Sequence, residues 1–444
     1  MAMTKTPLED WIARKIGLAP GTLTREALRE YQFRRIRKTV AMAMDKSSFY
    51  RSKLAGFDPA LIDSEAALAR LPFTEPRQLR EDPLRFVCSG LGSIERIVTL
   101  QSSGTTGSPK RIFFTKEDQE LTIDFFDYGM RNLVRPGDRV LILLPCATPG
   151  SVGDLLRIGL ERMGAVPLPY GPVHDPADAV NRALLDRASA AVGIPTHLLA
   201  MARQQNGARL KGQIKNVLLS TDYVPEAISR VLEERWGCRV YNHYGTTEMG
   251  LGGGVQCSAR RGYHFREADL FIEIVDPHSG EPVPEGTAGE IVFTTLTRTG
   301  MPLIRYRTGD LSRLLPGRCP CGTVLRSMEP VKYRLSELIR IGELRLSMPD
   351  LDEKLFPLPG VLDYRAEMQW AGERAVLHID LKTVQPENVD CEMARQALLT
   401  LPALQELYPE KLQLEISCNS GNFTVARGTA KRRIVQRGAP AKNH

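Results

Sequence analysis

Ser102-Ser103-Gly104-Thr105-Thr106-Gly107-Ser108-Pro109-Lys110 stands between two short apolar runs, Arg96-Ile97-Val98-Thr99-Leu100 and Arg111-Ile112-Phe113-Phe114. Hydroxyl residues interleaved with glycine give a loop whose backbone N–H groups, side-chain hydroxyls and terminal lysine can all face one polyanion. A nucleoside triphosphate tail is the expected one. The spacing is not that of the Walker loop, in which four residues separate the glycines and Gly-Lys-Ser/Thr opens a helix. Here Pro109 precedes the lysine, and a strand is predicted to follow. Taken alone, the loop also reads as a plain Ser/Gly turn between strands.

Further along, apolar runs alternate with helical patterns. Strands are predicted over 140–144, 165–168, 190–194, 217–220 and 239–241, and helices over 152–163, 179–188, 196–203 and 225–236. Strands separated by single helices predict parallel βαβ units, whose strand carboxyl ends frame the ligand crevice. Upstream, 25–44 reads as an amphipathic packing helix. After Glu248 the pattern turns to β, over 270–275 and 290–295, with Pro277-His278-Ser279-Gly280 as a turn. From about Arg334 short strands and helices return, including 375–379 and 392–399. The expected fold is α/β and multidomain: a large N-terminal domain over 1–334 with parallel sheets and a β subdomain at about 255–330, then a small C-terminal α+β lid over 335–444.

Composition allows a large core. Of 444 residues, 42% are hydrophobic and 25% charged, as in a globular chain of one large and one smaller domain. The 59 basic and 52 acidic residues are scattered apart from a C-terminal cluster, so the net charge of +7 suits anionic substrates without implying nucleic acid. The N-terminus lacks the apolar core of a secretory signal, and there is no apolar run of about 18 residues, which predicts a cytoplasmic protein with no membrane partner. Eight cysteines are too sparse for a disulfide scaffold and are expected as thiols or metal ligands.

Two further segments, Tyr241-Asn242-His243-Tyr244-Gly245-Thr246-Thr247-Glu248 and Arg305-Tyr306-Arg307-Thr308-Gly309-Asp310, follow the loop in the order and approximate spacing of adenylate-forming ligases. Together the three resemble the phenylacetate–CoA ligase branch of that superfamily. The resemblance extends from Ser47-Ser48-Phe49-Tyr50-Arg51 through Leu71-Pro72-Phe73-Thr74 to Leu314-Leu315-Pro316-Gly317, roughly three quarters of the chain. It implies that Ser102, Ser103, Gly104, Thr105, Thr106, Gly107 and Lys110 hold the β- and γ-phosphates of ATP. Tyr244, Gly245 and Thr246 would line the nucleotide site, with the Tyr244 ring on adenine. Thr247 would offer its hydroxyl to the α-phosphate, Glu248 a hard oxygen to Mg²⁺, and Asp310 two oxygens to the ribose hydroxyls. Arg334 matches the family arginine at the hinge.

The lid departs from the family. Relatives carry Gly-Arg-x-Asp-Asp at the hinge and Gly-Val-x-x-Phe-Pro soon after; here the residues are Tyr333-Arg334-Leu335-Ser336-Glu337 and Gly342-Glu343-Leu344-Arg345-Leu346. Ser336 therefore stands at the hinge acid, with Glu337 beside it, which puts rotation of the lid in question. In relatives a lysine after a glycine near the C-terminus bridges the substrate carboxylate and the α-phosphate. Here Gly428 is followed by Thr429, Ala430 and Lys431. Either Lys431 reaches the site through a local change of register, or the lid lacks that charge. A solvated basic tail is the plain reading of Lys431-Arg432-Arg433.

Cys257, His264, Cys319 and Cys321 form a separate constellation, with the tight Cys319-Pro320-Cys321-Gly322 loop able to offer two thiolates. The set would make a tetrahedral Cys₃His site of the structural zinc type, and comparable residues occur in the branch it resembles. Unligated thiols in two loops are the alternative.

The function expected from the resemblance is ATP-dependent activation of a carboxylic acid, aryl or arylacetic, to an acyl-AMP with release of pyrophosphate, then transfer to a thiol, CoA foremost. The acid pocket is expected around 146–152, 220–223 and 244–251, where Leu144-Pro145-Cys146-Ala147-Thr148-Pro149-Gly150 brings no aromatic residue. Transfer to an amine or a carrier protein, and a nucleotide-binding scaffold without turnover, remain open, as does a homodimer.

Overall fold

The computed structural model describes residues 4–100, 109–341, 344–372, 374–384, 391–420 and 431–438. Ser102, Ser103, Gly104, Thr105, Thr106 and Gly107, the pair Gly342-Glu343, and Gly428, Thr429 and Ala430 lie outside the described residues. The chain forms two compact units: 1–137 with 145–167 and 241–331, and 138–144 with 168–240 and 332–444.

In the first unit the strands Ile94–Leu100 and Lys110–Thr115 pair antiparallel, Leu100 opposite Lys110, so the Ser/Gly stretch joins the two arms of a hairpin with Lys110 at its base. Alternation is visible in Ile94–Leu100, while Ile112, Phe113 and Phe114 of the second arm are buried. The helix Lys116–Met130 starts at once, because Thr115 and Asp118 exchange hydrogen bonds with each other's backbone N–H as a capping box. The helix Val152–Arg162 packs on it at Gly159, where an added Cβ would lie 3.0 Å from the Asp127 nitrogen.

The β-type region after Glu248 forms antiparallel ladders. Arg239–Tyr244 pairs with Gly254–Gln256 through His243 and Tyr244, then Tyr263–Phe265, Ser327–Met328 and Leu314–Leu315 follow. A separate antiparallel set contains Leu270–Val275, Gly289–Thr295 and Tyr306–Ser312. The first two strands are buried on both faces, which explains their continuous apolar runs. The helix Pro7–Lys15 is tied to this unit at many points: Glu9 accepts from Thr323 Oγ1 at 2.6 Å and from Val324 N at 2.8 Å, Trp11 Nε1 donates to Asp124 at 2.9 Å, and Lys15 pairs with Asp269 at 2.7 Å.

The second unit contains the parallel strands Arg139–Leu143, Ala190–Gly193 and Asn216–Leu219, with Val140, Ala190 and Asn216 in register. The helices Pro176–Leu185, Pro195–Arg203 and Glu226–Trp236 cover them. Its C-terminal part has a four-stranded mixed sheet in the order Leu412–Ser420, Arg374–Thr383, Val361–Ala371, Ile434–Arg437, with the helices Met348–Leu355 and Cys391–Leu399. One buried cluster runs from Leu141, Val217 and Trp236 to Leu351, Tyr364 and Leu377. Compactness therefore does not follow chain order. The second unit takes in 332–444 together with 138–144 and 168–240.

The expectation of eight thiols or metal ligands needs correction. Cys391, at the start of a helix, and Cys418, on the strand Leu412–Ser420, are joined as a disulfide with their Cα atoms 6.6 Å apart. Spacing along the chain carries no information about such a pairing. Among the described residues no helix is long and apolar enough to cross a membrane.

Candidate active site

Three segments of the first unit converge on Glu248. Lys110 donates from Nζ to Glu248 Oε1 and lies 3.2 Å from the Tyr306 hydroxyl, which itself donates to Glu248 Oε1 at 3.0 Å. Glu248 is 6% exposed. Burial alone would raise its pKa, but the Lys110 charge and the hydrogen bonds from Lys110 and Tyr306 hold it down at about 2. Glu248 is therefore an ionised oxygen donor in a dry setting, which suits a hard cation. Its backbone carbonyl accepts from Arg298 Nη1 at 2.7 Å, and the Arg298 guanidinium lies 4.4 Å from the Phe114 ring centroid.

The turn from Gly245 to Gly253 is wound tightly. Gly253 N donates to the Tyr244 carbonyl, Leu251 N to that of Thr246, Gly250 N to that of Thr247, and Met249 N to Thr246 Oγ1 at 3.3 Å. A side chain at Gly245 would put Cβ 2.6 Å from the Leu251 oxygen, so only glycine allows this approach. Tyr244 donates from its hydroxyl to Asp310 Oδ2 at 2.8 Å, and its ring stacks on Tyr263 at 5.9 Å and meets Phe265 edge-on at 6.2 Å. Both Tyr244 and Asp310 are buried. The structure thus joins two of the sequence motifs at one hydrogen bond.

The third motif is held from both sides. Arg305 is 1% exposed, pairs with Glu273 through two nitrogens at 3.2 and 3.0 Å, and donates to the Leu71 carbonyl at 2.6 Å. Its φ of +44° is strained for a side chain of this size, and the buried pair fixes it there. Thr74 N donates to the Arg305 carbonyl and Arg307 N to that of Thr74, both at 3.0 Å; Tyr50 OH accepts from Ile304 N at 2.9 Å. Beyond it, Gly309 N and the Arg307 guanidinium both bond Glu290. The outlying segments Ser47–Arg51 and Leu71–Thr74 thus buttress the strand that carries Asp310. Tyr306 and Arg298 are the contributors that the sequence reading missed. Tyr306 lies inside the Arg305–Asp310 motif, whereas nothing in the local pattern marks Arg298.

Arg334 and Lys431 belong to the second unit. Arg334 ends the strand Tyr333–Arg334, and Lys431 is an exposed residue leading to the strand Ile434–Arg437.

Cys257, His264, Cys319 and Cys321 are all buried, with their four ligand atoms within 4.8 Å of one another. Cys257 Sγ lies 3.6 Å from Cys319 Sγ, and Cys321 Sγ 3.6 Å from His264 Nε2. A tetrahedral zinc with bonds of about 2.0–2.3 Å separates its ligand atoms by about 3.3–3.8 Å, so the donor set fits that ion. His264 Nδ1 lies 3.1 Å from the Arg326 carbonyl, which can only accept; the Nδ1 proton is used there and Nε2 faces the sulfurs. Hydrogen bonding from Cys257, against burial, and then from His264 holds Cys321 well below the ordinary thiol range, toward the thiolate that a metal requires.

The hairpin arms and the Glu248 turn fall within the match to a known family: the profile of the family described as AMP-binding enzyme covers residues 94–297. The fold agrees. A 2-hydroxyisobutyryl-CoA ligase, solved in the postadenylation state with R3-HIB-AMP, superposes with a TM-score of 0.77 at 20% identity, covering 93% of this chain and 89% of that one. Fold and site thus define the class of AMP-binding, adenylate-forming ligases. Within it, the chain belongs to the phenylacetate–coenzyme A ligase family of AMP-forming acid–thiol ligases. It is similar to the phenylacetate–coenzyme A ligase of Thermus thermophilus, 31% identical over 77% of this chain and 78% of the relative. That of Escherichia coli is 27% identical over 82% and 84%.

Proposed function

We propose that the chain activates an aryl or arylacetic acid with ATP and passes the acyl group to coenzyme A. In the first step a carboxylate oxygen bonds the α-phosphorus while the bond to pyrophosphate breaks. In the second the CoA sulfur bonds the acyl carbon, AMP leaves with the electron pair, and the thiol proton goes to solvent. The observation that carries this reading is the Lys110–Glu248–Tyr306 triangle at the start of the strand Lys110–Thr115. A triphosphate draws the Lys110 ammonium toward its phosphates, and Glu248 is released to a cation. Mg²⁺, with Glu248 as its protein ligand, would neutralise the phosphate charge.

Thr247 is assigned to the α-phosphate, Tyr244, Gly245 and Thr246 to the nucleoside side of the site, and Asp310, oriented by Tyr244, to the ribose. Arg334 is assigned to the hinge of a lid formed by 335–444. Lys431 is assigned to the charge that develops between carboxylate and α-phosphate, where a fixed ammonium lowers the barrier. Zinc in the Cys₃His set would hold the two loops together and takes no part in the reaction.

The names of the curated relatives support the acid class and the acceptor. Acid-dependent exchange of labelled pyrophosphate into ATP over a panel of benzoic and phenylacetic acids tests the first step, followed by acceptor competition between CoA and amines. Exchange with no acid in the panel would sink the substrate class, and product with amines but not CoA would sink the acceptor.

A further inference from the structure

Lys431 is exposed, but the residue after it reaches inward: the Arg432 side chain is 16% exposed and ends among carboxylates. Its Nη1 donates to Asp352 Oδ1 at 2.7 Å, its Nε lies 3.0 Å from Asp363 Oδ1, and its guanidinium carbon is 4.8 and 4.6 Å from the ring centroids of Phe356 and Tyr364. The Tyr364 hydroxyl donates to the same Asp352 oxygen at 2.5 Å. A guanidinium shared between two carboxylates and set against two rings has little freedom to turn, so the chain at 432 is fixed.

The backbone is held as well. Arg432 N donates to Asp222 Oδ2 at 3.3 Å, while Asp222 Oδ1 accepts from Tyr223 N at 2.8 Å. The charges of Arg432 and Lys431 both bear on the Asp222 carboxylate. Asp222 comes just after Asn216–Leu219, at the carboxyl end of a parallel strand, the end at which such sheets bind ligands. Beside it Thr221 has φ +76°, a conformation that a β-branched residue takes only when its surroundings impose it. Glu353 secures the same loop, accepting from Tyr223 OH at 2.7 Å and from Glu226 N at 2.8 Å.

We propose that Asp222 and Arg432 are positioning residues for acyl-adenylate formation, docking the backbone beside Lys431 at the carboxyl end of the strand Asn216–Leu219. The inference rests on the assignment of Lys431 above and adds what holds it. Since the ammonium acts on charge developing at the reacting oxygens, a displacement of about 1 Å costs on the order of 10²-fold in rate.

The test compares Lys431→Ala, Asp222→Ala, Asp222→Asn and Arg432→Lys in the full chain. Two reactions are measured: pyrophosphate exchange with phenylacetate, or with the fastest panel acid if phenylacetate gives none, and acyl transfer to CoA from the preformed acyl-adenylate. Asp222→Ala and Arg432→Lys are expected to lower kcat for exchange about 10–100-fold, with KM for ATP within about twofold and acyl transfer unchanged. Asp222→Asn keeps the acceptor oxygen and is expected to recover most of the exchange. Wild-type exchange in Asp222→Ala and Arg432→Lys, with Lys431→Ala impaired, overturns the positioning role and leaves that of Lys431. Loss of both reactions together with a lowered Tm overturns it too, making the cluster a fold element. Wild-type exchange in Lys431→Ala removes the underlying assignment itself.

Discussion

Lys110, half-buried, and the buried Glu248, 138 residues apart in the chain, form an ion pair that the Tyr306 hydroxyl closes into a triangle. The role proposed for Glu248 as a cation ligand gives this contact a direct test. Glu248→Gln keeps the shape and removes the charge. Pyrophosphate exchange is expected to fall by about 10²–10³-fold, the range for losing one electrostatic contact to the reacting phosphates. An exchange rate within a factor of two of wild type would remove Glu248 from the site.

The same carboxylate makes a pH prediction. Its folded pKa, about 2, lies below the ordinary 4.5, so its contribution to stability is present above pH 4.5 and is lost as pH falls toward 2. The stability difference between wild type and Glu248→Gln should therefore be largest near neutral pH and shrink below pH 4.5. Chemical denaturation at pH 7, 5 and 3.5 measures it, and a constant difference would contradict the depressed pKa.

Tyr306→Phe deletes one hydroxyl from the triangle and leaves the ring, which packs 5.4 Å from Phe293. Hydrogen bonds to charged groups contribute about 1.5–3 kcal/mol, so KM for ATP or kcat should change by roughly 10–100-fold in a folded enzyme. Kinetics indistinguishable from wild type would make Tyr306 a packing residue only.

For the Cys₃His set, native mass spectrometry of protein purified without chelator should give one zinc per chain. His264→Ala or Cys319→Ser should lose it and lower Tm. Removing a ligand from a structural zinc site withdraws folding free energy. Metal-free mass in the wild type would refute the site, whatever the fate of the variants.

The hairpin around residues 102–107 was legible because β-branched and aromatic runs flank a glycine-rich stretch. The parallel strands 139–143, 190–193 and 216–219 were legible because strands covered on both faces write continuous apolar runs. That Cys257, His264, Cys319 and Cys321 come together could be read from the cysteines, since thiols grouped around a histidine have few other uses in such a chain. Arg298 could not be found this way: it reaches Glu248 across 50 residues through a backbone carbonyl, and any residue type supplies a carbonyl. Nor could the interleaved units, because periodicity reports which face of an element is apolar and not which distant element covers it. The Asp222–Arg432 contact and the Cys391–Cys418 pair fall under the same limit, since both join segments that meet only through tertiary packing.

Glu9 has a practical consequence for handling the protein. Its carboxylate caps Thr323 and Val324, two and three residues after Cys321, so the first helix is a clasp on the cysteine loop more than three hundred residues away. Cleaving that helix off would leave a hydroxyl and a backbone N–H uncapped beside the sulfurs, at a cost of about 1–3 kcal/mol each. With zinc in the Cys₃His set as proposed, protein clipped near its amino terminus during purification should shed it before its ATP-dependent exchange fails.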